Sequence, residues 1–284
     1  MKTALITGAT NGIGLYAARK IAEQGFRTIV HGRSQSLLDS TVEDIILTTG
    51  NDNVLSVVAD FSSLDNVRSM SQEIVDNFNT LDVLINNAGA TFRDRQVGID
   101  GFELTLTINY LAPFLLTNNL IPLLRKASLD NGYSRVINVS TLGNTDDSDV
   151  ADESDINWKD MQTTERYSLI KAYWRSKVLL NTFTFSLAEK ELENQVHINA
   201  VHPGTIRTNM TENIASIGLI EDISKLESID YGGQRIINLA LADNDFKVTG
   251  QFFAHKQKKL KTNNPNIEAR DKLWKISTEL VNLK

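Results

Sequence analysis

The sequence of 284 residues contains no cysteine and only four histidines. The absence of cysteine excludes disulfides, thiolate nucleophiles and cysteine-bound metal sites. The histidines are His31, His197, His202 and His255. They include no short-spaced pair of the kind that binds metals, so we expect no metal site.

Positive net charge and long apolar runs are also missing. The chain has 29 Lys and Arg against 35 Asp and Glu, a net charge of -6. That balance argues against a nucleic-acid partner, which would need clustered cations to neutralise phosphates. No apolar run approaches the roughly 20 residues that span a bilayer, and the start Met1-Lys2-Thr3 leaves no room for a signal peptide. We therefore expect a cytoplasmic protein with no integral membrane segment.

Short apolar segments alternate with helix-length amphipathic stretches along the whole chain. Buried strands separated by helices are typical of a parallel sheet with helices on both faces. The sequence therefore predicts an α/β fold with a doubly wound parallel sheet, formed by residues 1–284 as a single domain. The predicted strands are Ala4–Thr7, Arg27–His31, Val54–Ala59, Val83–Asn86, Val136–Ser140, Ile198–His202 and Gln251–Ala254.

Two long segments interrupt this alternation, Gly143–Arg166 and Met210–Ser228. Each follows the carboxyl end of a predicted strand, where open α/β sheets bind their ligands. Loops of this length in compact domains are usually functional, so we expect both segments to contribute to a substrate site.

A glycine cluster, Gly8-Ala9-Thr10-Asn11-Gly12-Ile13-Gly14, stands between the first predicted strand and a helix. Glycines allow the backbone to approach a pyrophosphate, and the free N–H groups of the helix start bind the anion. The cluster therefore predicts a dinucleotide-binding loop. The expected contacts are Gly8, Asn11, Gly12, Ile13 and Gly14.

The spacing Tyr-x-x-x-Lys occurs twice, at Tyr167–Lys171 and at Tyr173–Lys177. A Tyr and a Lys four residues apart on a helix share a face, and the cation lowers the pKa of the phenol toward the neutral range. Such a pair can transfer a proton to or from a substrate oxygen. On one helix the two pairs would point about 120° apart, so only one can face a cofactor.

These motifs together resemble the short-chain dehydrogenase/reductase family, whose glycine signature is Thr-Gly-x-x-x-Gly-x-Gly. Asn86-Asn87-Ala88-Gly89 matches a further family motif. Glu227–Gly232 and Glu268–Trp274 are similar to the retinol-dehydrogenase-like branch. The resemblance covers essentially the whole chain and implies a Rossmann fold. We expect no membrane anchor of the kind found in that branch, so retinoid chemistry is not taken over from the resemblance.

The resemblance implies four catalytic residues. The family places its tyrosine about 30 residues before the proline that here is Pro203, which selects Tyr173 with Lys177 and leaves Tyr167 as a lid residue. The catalytic hydroxyl maps to Thr141, where the family usually has Ser, with Ser140 as the alternative. Asn109 corresponds to the family's water-linked proton relay. Pro113 cannot donate to the Asn109 carbonyl, which leaves that carbonyl free for water; a simple helix kink is the alternative.

The resemblance also implies the remaining cofactor contacts. Arg33 and Ser34 follow the second strand, where an acidic residue would favour NAD. A guanidinium there favours the 2′-phosphate of NADP(H), although Asn11 stands where many NADP-preferring members have a second basic residue. NAD(H) remains possible. The other expected contacts are Asp60 and Phe61 beside adenine, Asn86, Asn87, Ala88 and Gly89, Tyr173 and Lys177, and Pro203, Gly204, Ile206 and Thr208 beside the nicotinamide.

The predicted function is NADP(H)-preferring transfer of a hydride between a nicotinamide and a carbonyl or alcohol carbon of a small apolar substrate. Two alternatives remain at this point: a non-catalytic NADP-binding sensor or scaffold, and a nucleotide-sugar epimerase. In many relatives, helices corresponding to residues 101–126 and 167–191 pair across a two-fold axis, so the resemblance also implies a homodimer.

Overall fold

The computed structural model of the protein describes residues 1–141, 156–216, 218, 222–243, 246–254 and 267–283. Within them lies one seven-stranded sheet with the order β3-β2-β1-β4-β5-β6-β7, in which all neighbouring strands are parallel. The strands are β1 Thr3–Ile6, β2 Arg27–Gly32, β3 Val54–Val58, β4 Val83–Asn86, β5 Ser134–Val139, β6 Val196–Val201 and β7 Gln251–Phe253. The predicted doubly wound α/β fold is confirmed, and each predicted strand lies within two residues of an observed one.

The helices fill the connections between the strands and follow them along the chain. They are α1 Gly12–Glu23, α2 Gln35–Thr49, α3 Leu64–Asn77, the short α4 Leu104–Leu106, α5 Ala112–Asn131, α6 Leu169–Lys190, α7 Asn209–Ser216, α8 Ile229–Ala240 and α9 Ile267–Leu280. A π-helical turn, Thr107–Leu111, joins α4 to α5, and a 3-10 turn, Ile223–Lys225, precedes α8.

Alternating residues of the strands pack into two separate apolar cores, one on each face of the sheet. Leu5, Leu84 and Val136 pack under α3, α5 and α6, whereas Ile6 and Ile85 pack under α1, α2 and α8. Because both faces are covered, the inner strands are buried along their whole length, which accounts for their continuous apolar composition.

The carboxyl ends of β1 and β4 diverge at the centre of the sheet. From β1 the chain proceeds outward to β2 and β3, and then returns to the other side of β1 as β4. A reversal of this kind leaves a crevice between the two loops that follow β1 and β4, and open α/β sheets bind ligands there. The glycine cluster and the Asn-Asn-Ala-Gly motif follow these two strands directly.

Helix α9 packs on α5 and α6, the two helices through which the resemblance implies a homodimer. The Trp274 ring lies against Phe114 of α5, with the ring centroids 5.4 Å apart, and 6.0 Å from Phe183 of α6. Tyr110 and Ser277 share a hydrogen bond of 2.5 Å. Among the large apolar side chains that the structure shows exposed, only Leu129 belongs to α5 and none to α6. The homodimer stays a prediction, and these two helices offer it little apolar surface.

Candidate active site

The glycine loop after β1 has a backbone that only glycine can follow at its key positions. Gly8 and Gly12 have φ values of +64° and +56°, in the left-handed region. A Cβ on Gly8 would come within 2.9 Å of the Ala88 Cα atom, and one on Gly14 would collide with the Gly8 carbonyl oxygen. The loop is therefore pressed against the turn after β4, and a side chain at Gly8 or Gly14 is excluded.

The amino terminus of α1 is suited to an anion. Its cap residue, Asn11, makes no side-chain hydrogen bond to the helix, and the first turn has no acidic residue. The first-turn N–H groups therefore have no competing side-chain acceptor at the cap, and the helix dipole adds partial positive charge at this end. A pyrophosphate fits this cradle, which Gly8, Asn11, Gly12, Ile13 and Gly14 form, and the contacts of these residues with a cofactor stay predictions.

The two asparagines after β4 have different partners. The Asn87 side chain donates to the carbonyl oxygens of Thr7 and Gly8, at 2.8 and 3.0 Å, and so ties the two loops together. The Asn86 side chain instead donates to Thr117 and Asn138 inside the sheet. Asn86 therefore braces β4 from within, and of the predicted contacts here Asn87, Ala88 and Gly89 line the crevice.

Arg33 and Ser34 follow β2 at the outer part of the crevice. The Arg33 side chain is exposed and has no hydrogen bond or ion pair within the described part of the chain. It is therefore available to an external anion. The Ser34 hydroxyl caps α2 by accepting from the Leu37 N–H at 3.5 Å, a long contact that a stronger ligand could replace.

The end of β3 holds Asp60 and Phe61 in two distinct environments. Asp60 is exposed, and its carboxylate accepts from the Ser62 N–H at 2.9 Å. Helix α3 is capped by Ser63 and not by Asp60. The Phe61 ring is buried and stacks on His31 with the centroids 4.2 Å apart. The ring is therefore held inside the fold by His31, and the contact of Phe61 with adenine stays a prediction.

Helix α6 begins at Leu169, inside the first Tyr-x-x-x-Lys segment. Ser168 caps it by accepting from the Lys171 N–H at 3.3 Å, so Tyr167 lies before the helix and only Tyr173–Lys177 is a helical pair. The expectation that both pairs lie on one helix is wrong, because the cap at Ser168 leaves Tyr167 outside the helix. The Tyr167 hydroxyl donates to the Phe92 carbonyl at 2.9 Å, and Lys171 is exposed.

Tyr173 and Lys177 lie together beside the end of β5. The Lys177 Nζ atom is 5.8 Å from the centre of the Tyr173 ring and donates to the Val139 carbonyl at 2.8 Å. Burial raises the pKa of Tyr173 to about 12, and burial lowers the pKa of Lys177 to about 8. The expected lowering of the tyrosine pKa by the lysine is not observed, because loss of solvent around the phenol outweighs a cation at this distance.

The π-helical turn before α5 positions Asn109, which is fully buried. Its side chain pairs with the backbone of Ala90, donating at 3.0 Å and accepting at 2.8 Å. It also donates to Ser176 at 3.1 Å, and the Ser176 hydroxyl donates to the Tyr173 carbonyl at 2.6 Å. Asn109 thus connects the loop after β4 to the helical turn that carries Tyr173.

Ser140 and Thr141 differ in where they stand at the end of β5. The Ser140 hydroxyl is buried and faces the backbone of α6, 3.4 Å from the Lys177 carbonyl. Thr141 is half-buried, and its carbonyl accepts from Asn181 at 3.3 Å. Ser140 is therefore engaged with the helix, which leaves Thr141 as the better placed hydroxyl for a ligand.

The segment after β6 closes the crevice over the glycine loop. A Cβ on Gly12 would lie 3.6 Å from the Thr208 methyl group, and Gly204 has a φ of +109°. Ile206 is buried and pairs with Glu227 in an isolated bridge. Thr208 therefore lies beside the glycine loop, and the cofactor contacts predicted for Pro203, Gly204, Ile206 and Thr208 stay predictions. Of the two predicted substrate segments, residues 143–155, 217 and 219–221 lie outside the described residues.

Two residues that bind parts of this site to each other were missed by the sequence analysis. Ser176 connects Asn109 to Tyr173, and His31 connects the glycine loop to the end of β3. Ser176 belongs to the Ser-Lys pair that the family motif contains, which was an available signal. No local sequence pattern indicated a role for His31, because its partners, Gly8 and Ala59, follow two other strands.

Comparison with known proteins places this site in a family. Residues 2–149 match the model described as short chain dehydrogenase. Retinol dehydrogenase 13 from Homo sapiens is 32% identical over 296 residues, covering 100% of this chain and 85% of that protein. The chain therefore belongs to the short-chain dehydrogenase family, and its similarity is to the retinol-dehydrogenase-like branch, as predicted.

Solved structures show the same fold. An uncharacterised protein from Mycobacterium paratuberculosis superposes with a TM-score of 0.74 and is 25% identical, covering 99% of this chain and 94% of that one. The Pseudomonas aeruginosa RhlG/NADP active-site complex has a TM-score of 0.68 and 24% identity, covering 89% and 94%. These likenesses show the fold, and the family match and the human relative above make the chain an oxidoreductase of the short-chain dehydrogenase type.

In the described part of the chain, no helix is long and apolar enough to cross a bilayer, and no group of three or more His, Asp or Glu side chains could hold a metal ion.

Proposed function

We propose that this protein is an NADP(H)-preferring alcohol dehydrogenase or carbonyl reductase in which Tyr173 is the general acid and base. One observation carries the proposal, a continuous series of contacts from cofactor loop to proton donor. Gly8 is pressed on Ala88, Asn109 pairs with Ala90 and Ser176, and Ser176 binds the Tyr173 carbonyl. The same crevice therefore presents a dinucleotide cradle and a phenol.

The nicotinamide, when bound, supplies or accepts the hydride. The residues of this chain handle the proton and the substrate oxygen. A hydroxyl at Thr141 donates a hydrogen bond to that oxygen, and Tyr173 transfers its proton from Oη to it. With a pKa of about 12, the phenol holds this proton throughout the neutral range. The ammonium group of Lys177 stabilises the phenolate that is left.

Exchange of this proton with solvent passes through Asn109 in the proposal. Asn109 lies in a π-helical turn that is followed by Pro113. Because Pro113 has no N–H, the Asn109 carbonyl lacks its usual donor, and a water can bind there. Lys177, which now donates to the Val139 carbonyl, would pass a proton along this route.

The substrate is an alcohol or carbonyl compound with an apolar frame. This part rests on the name of the human relative, retinol dehydrogenase 13, since retinol is an apolar alcohol. The discriminating assay follows NADPH oxidation with a panel of aldehydes and ketones of increasing apolar size. Turnover supports the proposal. Cofactor binding with no turnover on any substrate would favour the sensor, and UDP-sugar interconversion without net cofactor consumption would favour the epimerase.

The preference for NADP(H) rests on Arg33, which is exposed and has no acidic neighbour in the loop Gly32-Arg33-Ser34. A charge-assisted hydrogen bond to the 2′-phosphate contributes about 1.5–3 kcal/mol, or about tenfold to a hundredfold in kcat/KM. Arg33→Ala should therefore weaken the use of NADPH much more than that of NADH.

Arg19→Ala is the matched control, because it removes the same charge from the same half of the molecule. Arg19 forms an ion pair with Asp44 at 2.6 Å, outside the crevice. Equal or better use of NADH by the unmodified protein would refute the cofactor assignment and leave hydride transfer standing.

A further inference from the structure

The His31 side chain is buried between the glycine loop and the end of β3. Its Nδ1 atom accepts from the Gly8 N–H at 3.2 Å, and its Nε2 atom is 3.0 Å from the Ala59 carbonyl oxygen. The backbone adds a further contact, since the His31 carbonyl accepts from the Ala9 N–H at 2.9 Å. One residue of β2 thus binds both loops that a dinucleotide would touch.

These partners require a single neutral form of the ring. Because Gly8 donates to Nδ1, that nitrogen must carry a lone pair, and Nε2 must carry the proton that it donates to Ala59. Burial lowers the pKa of His31 to about 4, against smaller opposing effects of the Ala59 carbonyl and the Asp60 carboxylate. Asp60 is the charged group that faces the ring, and the ring stays neutral at neutral pH.

We propose that His31 is a positioning residue for the nicotinamide cofactor. Its neutral ring holds the Gly8 backbone in the conformation that admits a pyrophosphate, and couples that loop to the Ala59–Phe61 corner beside the adenine position. The proposal extends the cofactor site described above. It does not depend on the identity of the substrate or of the proton donor.

The geometry of Gly8 explains why such a brace matters. Gly8 has positive φ, no side chain of its own to pack, and a backbone in close approach to Ala88. The ring is the group that fixes its N–H, and stacking on Phe61 fixes the plane of the ring. Without the acceptor, a half-buried N–H would lose its partner, and the loop would shift to regain one.

Three substitutions separate the two hydrogen bonds of the ring. In His31→Asn the amide oxygen stands near the position of Nδ1 and can still accept from Gly8. In His31→Gln the amide reaches the position of Nε2 and can donate to Ala59, but the Gly8 bond is lost. His31→Leu removes both.

The experiment measures Kd for NADPH by fluorescence titration at pH 7, without substrate, for the unmodified protein and each variant. We expect His31→Leu and His31→Gln to raise Kd about tenfold, or ~1.4 kcal/mol, and His31→Asn to stay within about threefold. With a turned-over substrate, KM for NADPH should rise in parallel while kcat at saturation changes little. If His31→Leu does not fold, the Asn and Gln variants still give the comparison.

His197→Leu is the matched control. His197 is equally buried, but it lies near the amino end of β6 and stacks on Tyr133 with centroids 6.3 Å apart, at the opposite edge of the sheet. It should lower the melting temperature and leave Kd unchanged. Equal Kd values for the Asn, Gln and Leu variants, or a His197 variant that weakens binding as much, would overturn the proposal. Binding without turnover in the unmodified protein would instead refute only the proposed catalysis.

Discussion

Two neighbouring segments have the same Tyr-x-x-x-Lys spacing and lie in different surroundings. Tyr173 and Lys177 are on α6, facing β5, where burial shifts the pKa of both groups. Tyr167 precedes the helix and donates to the Phe92 carbonyl, while Lys171 is exposed. The spacing alone therefore does not define a proton-transfer pair. The point where the helix begins, which Ser168 sets, decides which tyrosine shares a face with its lysine.

The largest contrast is expected between the two lysines. Lys177→Ala should lower kcat by about 10²–10⁴-fold, because it removes the only cation beside the Tyr173 phenol in the described structure. Lys171→Ala removes an exposed charge and should leave kcat within about twofold. Steady-state kinetics with NADPH and an active aldehyde measure both. A large loss in Lys171→Ala with little change in Lys177→Ala would reverse the assignment.

The second contrast concerns the two hydroxyls after β5. Thr141→Ala should lower kcat about 100-fold, by analogy with the loss of one donor to a developing oxyanion, whereas Thr141→Ser should retain most activity. Ser140→Ala removes a hydroxyl that faces the α6 backbone and should affect melting temperature more than kcat. An inactive Ser140→Ala protein beside a normal Thr141→Ala protein would place the catalytic hydroxyl at Ser140.

The pH profile gives a smaller and more gradual contrast. Burial lowers the pKa of Lys177 to about 8, so its charge is present below that pH and lost above it. Because the charge stabilises the phenolate, kcat for carbonyl reduction should be level below pH 8 and fall by up to about tenfold per unit above it. The Lys171→Ala variant should show the same fall of kcat above pH 8. A rate that rises between pH 8 and 10 would contradict the role given to Lys177.

The smallest effect is expected from the helix cap itself. Ser168→Ala removes the acceptor of the Lys171 N–H and should lower the free energy of unfolding by about 1 kcal/mol. We expect kcat to change less than about threefold, because Ser176 and Asn109 hold the Tyr173 turn independently. Urea titration and kinetics on one preparation measure both quantities. Loss of most activity with unchanged stability would show that the cap positions the phenol directly.

The sequence was sufficient wherever local rules decide the structure. Continuous apolar runs such as Val83–Asn86 predicted the strands. The glycine cluster predicted a loop without bulky side chains, and Gly8 and Gly14 stand where a Cβ would collide with neighbouring backbone, while the approach to a pyrophosphate stays a prediction. Family spacing to Pro203 favours Tyr173, and that tyrosine is the one that lies on α6.

Features that arise from contacts between distant elements were not predictable. The inward direction of the Asn86 side chain depends on Thr117 and Asn138, and the brace at His31 depends on Gly8 and Ala59. The start of α6 was missed for another reason. The helical pattern looked continuous through both Tyr-x-x-x-Lys segments, and Ser168 was not interpreted as the cap residue that it is. The pKa of Tyr173 is raised by desolvation, and the Tyr-x-x-x-Lys spacing does not show how deeply the phenol is buried.

The central claim is that Tyr173, and not Tyr167, gives its proton to the substrate oxygen. The most direct measurement compares Tyr173→Phe with Tyr167→Phe, using NADPH titration for binding and single-turnover hydride transfer for chemistry. The account predicts that Tyr173→Phe binds NADPH normally and transfers hydride about 10²–10⁴-fold more slowly, while Tyr167→Phe stays within about threefold. Normal hydride transfer in Tyr173→Phe, together with an inactive Tyr167→Phe, would contradict it.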